Sequence, residues 1–146
     1  MKVKDILAIK GSDVVTINED ATIYEALSTF DSNRVGSLLV LDDKAGIVGI
    51  VAPSDVLRAT LRACEKIKSI KVKTIMTREL IIGDPNDDLT YVRAIMTENR
   101  IRHLPIIENK KLVGIVSIGD IVKTELKAKD VENRYLRDYI ISKYPA

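Results

Sequence analysis

The sequence repeats itself once, and that repeat limits the fold more than any other feature. Asn33-Arg34-Val35 returns as Asn99-Arg100-Ile101, 66 residues later. Ser37-Leu38-Leu39-Val40-Leu41 aligns with His103-Leu104-Pro105-Ile106-Ile107, and after one deleted residue Ile47-Val48-Gly49-Ile50-Val51 aligns with Leu112-Val113-Gly114-Ile115-Val116. Asp55-Val56 then meets Asp120-Ile121, and upstream Val3-Lys4-Asp5-Ile6-Leu7 corresponds to Val72-Lys73-Thr74-Ile75-Met76 at an offset of 69. Two copies are too few for a solenoid, in which several units stack to close a core. A pseudo-twofold pair is the natural alternative, and 146 residues suffice for one well-packed domain or two small ones sharing a core.

Within each copy the patterns predict strand, helix, strand, strand, helix, an α+β unit. Val14–Ile17 is a β-branched run. Thr22-Ile23-Tyr24-Glu25 has the capping-box form, in which a threonine and a glutamate three residues later satisfy free backbone donors at a helix start. Behind it Ile23, Ala26, Leu27 and Phe30 have the spacing that lines one helix face. Leu89, Val92 and Met96 hold that stripe in the second copy, with Arg93 as the misfit. Ser37–Leu41 and Ile47–Ala52 read as two buried strands around a polar turn, Asp42-Asp43-Lys44-Ala45-Gly46. His103–Ile107 and Lys111–Ser117 repeat this around Glu108-Asn109-Lys110. A second helix is predicted near Ser54 or Asp55, and near Gly119 or Asp120 in the other copy. The repeats are placed at residues 1–69 and 70–128. Residues 129–146 form an extension, where Val131, Tyr135, Leu136, Tyr139 and Ile140 predict an amphipathic C-terminal helix over Lys129–Tyr144.

The second copy carries Asn99-Arg100-Ile101-Arg102-His103-Leu104-Pro105-Ile106 and Leu112-Val113-Gly114-Ile115-Val116-Ser117-Ile118-Gly119-Asp120-Ile121. On these motifs each copy resembles a cystathionine-beta-synthase-type (CBS) domain. The first copy is looser, with Leu39 where proline is usual and Ala52 where serine or threonine is typical. The resemblance covers roughly residues 2–127. It implies two β-α-β-β-α repeats related by a pseudo-twofold axis, forming a non-catalytic regulatory module. It further implies that an adenosyl ligand, AMP, ADP, ATP or S-adenosylmethionine, binds in the cleft between the repeats, with no tightly bound cofactor. A homodimer built through helices, signalling to a regulated protein, is also implied.

Ser117-Ile118-Gly119-Asp120 lies between a strand and a helix, so a hydroxyl, a carboxylate and free backbone donors gather at one helix N-terminus. Such an end favours an anion, and an aspartate can accept hydrogen bonds from the vicinal hydroxyls of a ribose. The same residues also read as a capping box, in which both side chains merely satisfy backbone amides. The resemblance favours the ligand. In the first copy the segment is Ala52-Pro53-Ser54-Asp55. Ala52 cannot cap, Ser54 is the candidate cap, and unequal affinities at Asp120 and Asp55 are expected.

The resemblance implies that Ala21, Ala26 and Val48 supply adenine-side contacts for the Asp120 site. Ser54 and Asp55 would pair with Asp87, Val92 and Val113 in the reciprocal site, although Asp87 reads equally as a solvated helix-start residue. Arg102 and His103 match positions where the gamma subunits of the AMP-activated kinases carry basic phosphate ligands. Their counterparts, Gly36 and Ser37, bring no charge. Read from the residues alone, His103 is a partly buried packing residue and Arg102 a surface charge. A histidine with an ordinary pKa of about 6.5 adds charge mainly below neutrality.

One cysteine, Cys64, and one histidine exclude an intramolecular disulfide and a Cys/His metal cluster. No nucleophile triad or P-loop is visible, so an enzyme is not expected. The opening residues show no apolar signal core, and no apolar stretch is long enough for a bilayer. A cytoplasmic protein without a membrane partner is the expectation. A net charge of +2 argues little for nucleic acid. Arg58, Arg62 and Lys66 do form a basic stripe, but a chain with no Trp and one Phe offers few stacking platforms. The competing functions are a protein-interaction module with vestigial nucleotide clefts and, behind it, a nucleic-acid-binding regulator.

Overall fold

The computed structural model describes residues 1–128; the helix expected over Lys129–Tyr144 lies outside the described residues. The elements run α1 (Val3–Lys10), β1 (Thr16–Asn18), α2 (Ile23–Asn33), β2 (Leu38–Leu41), β3 (Ile47–Val51), α3 (Pro53–Ala63), α4 (Leu89–Glu98), β4 (His103–Glu108), β5 (Lys111–Ser117) and α5 (Ile118–Ala128). Two short 3₁₀ turns, Cys64–Lys68 and Val72–Thr74, follow α3. The mixed α+β class and the repeated order match the expectation. Among the described residues no helix is long and apolar enough to cross a membrane.

The chain divides into two compact units, Asp13–Ile81 on one hand and Met1–Ser12 with the chain from Ile82 onward on the other. In the first of these, β1 pairs parallel with β2 and β2 antiparallel with β3. Ile23, Ala26, Leu38, Val40, Val51, Val56 and Val72 fill its core, all without exposed surface. α2 begins as predicted, with the Thr22 hydroxyl accepting from the Glu25 N–H at 3.2 Å. Its stripe is narrower than its sequence suggests, since Leu27 is 37% exposed. In the other unit β4 and β5 form an antiparallel hairpin, and Leu89, Val92 and Met96 bury the inner face of α4. Arg93, the misfit in that stripe, turns outward and pairs with Glu125 of α5 at 2.6 Å.

The opening strand of the second copy shrinks to one parallel bridge, Gly83 to Ile106. The Gly83 N–H donates to Pro105 and its carbonyl accepts from Ile107, both at 2.9 Å. Pro85, two residues on, has no N–H to extend the ladder. The Asn-Arg motif also has a structural origin. The side-chain amides of Asn33 and Asn99 each donate at 2.9 Å to the carbonyl four residues back, while Arg34 and Arg100 take left-handed φ values of 51° and 55°. These residues end a helix in both copies.

The opening segments of the two sequence copies are exchanged between the compact units. The N–H groups of Val3 and Lys4 donate to the carbonyls of Asp87 and Pro85, and those of Val72 and Lys73 to Ala21 and Glu19, the equivalent positions. Leu7 reaches Gly114, where an added Cβ would lie 2.7 Å from Leu7 Cδ2; Met76, the counterpart of Leu7, reaches Gly49 in the same way, at 2.6 Å from its sulfur. Each hairpin therefore packs against the opening segment from the other copy.

Candidate functional site

The β4–β5 hairpin delivers its chemistry to the start of α5. His103 stands opposite Ser117 in the ladder, and the Ile118 N–H donates to the Arg102 carbonyl at 2.9 Å. Arg102, His103, Ser117 and Asp120 thus meet at one end of one unit. Ser117 Oγ accepts from the Asp120 N–H at 3.0 Å, and Asp120 Oδ2 accepts from the Ser117 N–H at 2.8 Å. This is the reciprocal capping box. Gly119 leaves the first turn of α5 open, since a Cβ there would meet only Ser117 Oγ at 3.6 Å.

A residue absent from the sequence-based set completes the site. Lys10 Nζ, at the end of α1, donates to Asp120 Oδ2 at 2.5 Å. Nothing in the sequence links residues 10 and 120, no element is predicted for Val3–Lys10, and the repeat points elsewhere because the position 69 residues on is Glu79. Burial opposes ionisation of Asp120, but the Lys10 ammonium and the Ser117 amide and hydroxyl outweigh it and hold the carboxyl below the usual carboxylate range. Burial, then the charges of Lys10 and Arg102, outweigh the attraction of Asp120 and push the His103 pKa below its ordinary value. Expected protonation just below neutrality therefore moves to lower pH, and the neutral imidazole is favoured.

Beside this end a groove of about 460 Å³ runs between α1 and α5, with Ile6 and Ile9 on one side and Lys10, Asp120, Lys123 and Lys127 among its charged residues. The unit Asp13–Ile81 has a counterpart of about 420 Å³ built from equivalent positions, including Ile75, Asp55, Arg58 and Arg62. Its aspartate is engaged differently. Asp55 Oδ2 accepts from the Ala52 N–H at 2.8 Å, and Oδ1 accepts from Arg58 at 2.7 Å. Ser54 is not the cap. Pro53, whose fixed φ suits the first helical residue, starts α3 before it, so Ala52 takes the cap position without a side-chain acceptor and Ser54 lies exposed within the first turn.

The other expected contacts have packing or turn roles within their own units. Ala21 and Ala26 belong to the core of Asp13–Ile81, and Val48 packs against it. Val92 is fully buried in α4, and Val113 is half-buried beside Gly114. The Asp87 carboxylate accepts from the Asp84 N–H at 2.8 Å, tying the turn before α4.

The family model for the CBS domain matches residues 3–62 and again 72–127. The mitochondrial CBS domain-containing protein CBSX3 of Arabidopsis thaliana is 33% identical over 97% of this chain and 73% of its own length. An inosine-5'-monophosphate dehydrogenase of Methanocaldococcus jannaschii is 31% identical over 93% of this chain, which spans only 27% of that enzyme. Among solved structures, a CBS-domain containing protein of Agrobacterium tumefaciens superposes with a TM-score of 0.82 at 35% identity, covering 86% of this chain and 99% of that one. The CBS domain pair of protein MJ0100, solved with 5'-methylthioadenosine and S-adenosyl-L-methionine, gives a TM-score of 0.74 at 25% identity, covering 86% and 99%.

Proposed function

The chain belongs to the CBS domain family, and we propose that it is a non-catalytic regulatory module. On this reading an adenosyl ligand, AMP, ADP, ATP or S-adenosylmethionine, binds around Asp120, and its binding passes to a partner protein as a change of conformation. The state of the Asp120 carboxylate carries the proposal. Oδ2 serves the cap and Lys10, while Oδ1 takes no hydrogen bond from the described residues. An ionised carboxylate has about four acceptor sites, so ribose hydroxyls can bind without dismantling the cap. Asp55 accepts the same number of bonds but one on each oxygen, so it offers no wholly free oxygen to the paired ribose hydroxyls and its site is the weaker one. Arg102 and His103 stand at the same end as Asp120, ready for a phosphate. The ligands of the MJ0100 pair support the adenosyl class.

Signalling follows from differential affinity for two states rather than from chemistry. A second copy of the chain is the proposed assembly partner: Leu57 and Leu61, one turn apart on α3, are 65% and 75% exposed and suit packing of helix on helix.

A thermal-shift panel with adenine nucleotides and S-adenosylmethionine, confirmed by calorimetry, tests the reading. A ligand at about 100 times its Kd stabilises the folded state by roughly 2.7 kcal/mol. Asp120→Ala should abolish that shift, whereas Ser117→Ala should cost about 1 kcal/mol of cap stability and keep most of the affinity. Normal binding by a destabilised Asp120→Ala would reduce the aspartate to a cap. Silence of the wild-type chain across the panel would favour the protein-interaction module.

A further inference from the structure

Resting on the reading of Asp120 as an adenosyl site, we infer that Lys10 restricts that site to adenosyl ligands with an anionic tail, nucleotides, and turns away the cationic S-adenosylmethionine. Three observations converge on it. Lys10 Nζ lies 2.5 Å from Asp120 Oδ2, and the two side chains are 30% and 25% exposed, so the ammonium is held at the carboxylate and is partly shielded from water. The adjoining groove sets three lysines, Lys10, Lys123 and Lys127, against the single carboxylate of Asp120. The equivalent groove of the other unit has no such ammonium from the opening segment: the position matching Lys10 is Glu79, and Asp55 is neutralised by Arg58 from its own helix.

The chemistry of the ligands makes the consequence specific. Phosphate in a nucleotide and sulfonium in S-adenosylmethionine are both attached to the 5' carbon of the ribose. A ribose anchored on Asp120 therefore brings one or the other within reach of the same ammonium. A phosphate gains a charge-assisted hydrogen bond there, stronger than a neutral one. A sulfonium meets a like charge. An aspartate standing alone would reverse this preference, and Lys10 is what cancels its charge.

Calorimetry on the full chain with ATP, AMP, 5'-methylthioadenosine and S-adenosylmethionine provides the test, because the third ligand shares the adenosine but carries no charged tail. Wild-type protein should bind ATP and AMP at least about tenfold more tightly than 5'-methylthioadenosine, the gain of one charge-assisted bond, and S-adenosylmethionine more weakly still. Lys10→Met should collapse the ratio of ATP to 5'-methylthioadenosine affinity, with circular dichroism reporting an intact fold; Lys10→Arg should restore the ratio. Equal loss for all ligands in Lys10→Met would show that Lys10 merely positions Asp120, and S-adenosylmethionine binding as tightly as ATP would remove the selectivity; either overturns the inference and leaves the adenosyl reading standing. Failure of all four ligands to bind wild-type protein overturns both.

Discussion

A single ammonium, that of Lys10, bears on both titratable groups at the end of the β4–β5 hairpin. It favours the charged form of Asp120 and disfavours that of His103. The folded state therefore prefers neutral His103, and a lowered pKa contributes stability that is present above the ordinary histidine value of about 6.5 and lost as pH falls through the folded-state value. Asp120 behaves likewise at lower pH: its contribution is present above the ordinary carboxylate value and disappears as pH falls through its own lowered value. Acidification thus weakens this unit in two steps, histidine first. The Tm of His103→Gln, followed from pH 7.5 to pH 5, should fall less steeply than that of the wild type, and an identical slope would show that His103 does not titrate on unfolding. At this scale the capping-box reading of the Ser-x-x-Asp motif was legible, and the cap occupies Oδ2 and leaves Oδ1 for the proposed ligand. Lys10 was not, because its partner lies 110 residues away and no periodicity encodes such a pairing.

Among the elements, α2 and α4 were read well because their signals are local, whereas α1 was not predicted. The Thr22 cap and the α4 stripe of Leu89, Val92 and Met96 rest on neighbours three and four residues apart. Leu27 failed because a spacing rule gives an apolar face but not how much of it a small unit covers. The lost strand at Gly83 failed because strand pairing is decided by the partner, and one bridge is all that Pro85 and Gly83 permit. The paired glycines of the Val-Gly-Ile runs are explained by close approach, and they should differ in tolerance. At Gly49 an added Cβ would face Met76 at 2.6 Å and also the Thr77 carbonyl oxygen at 3.0 Å. That carbonyl is fixed by reciprocal bonds between Ile50 and Thr77 of 2.9 and 3.0 Å. At Gly114 only the end of the Leu7 side chain intervenes, at 2.7 Å, and it can rotate away. Gly49→Ala should cost about 1–3 kcal/mol, as overpacking does, and Gly114→Ala clearly less; urea denaturation of the two variants would show an inverted order if backbone contact is not what matters.

For the whole molecule, the repeat in the sequence and the compact unit in space are different divisions of the same chain. Self-comparison finds where a pattern restarts, at about residue 70, and the parallel copies make that boundary plain. It carries no information on which copy each opening segment packs against, because Val3–Leu7 and Val72–Met76 are near-equivalent and either would satisfy the pattern. The structure resolves this through backbone bonds: Val72 donates to Ala21 at 2.7 Å and Ile23 to Ile70 at 2.9 Å, so the first copy's core is closed by chain that the sequence assigns to the second. Val72 has no exposed surface and Met76 only 9%. Burying each such side chain contributes about 1.5–3 kcal/mol, a large share of the 5–15 kcal/mol that holds a typical domain together. Two fragments of equal length separate the divisions, residues 1–69 as the sequence copy and residues 13–81 as the compact unit. We expect 13–81 to show the more cooperative thermal transition by circular dichroism and the higher Tm. Fragment 1–69 keeps α1, which has no place in this core, and lacks Val72 and Met76, which fill it; should it nevertheless melt at or above the temperature of 13–81, the exchanged segments contribute little and the sequence repeat is also the folding unit.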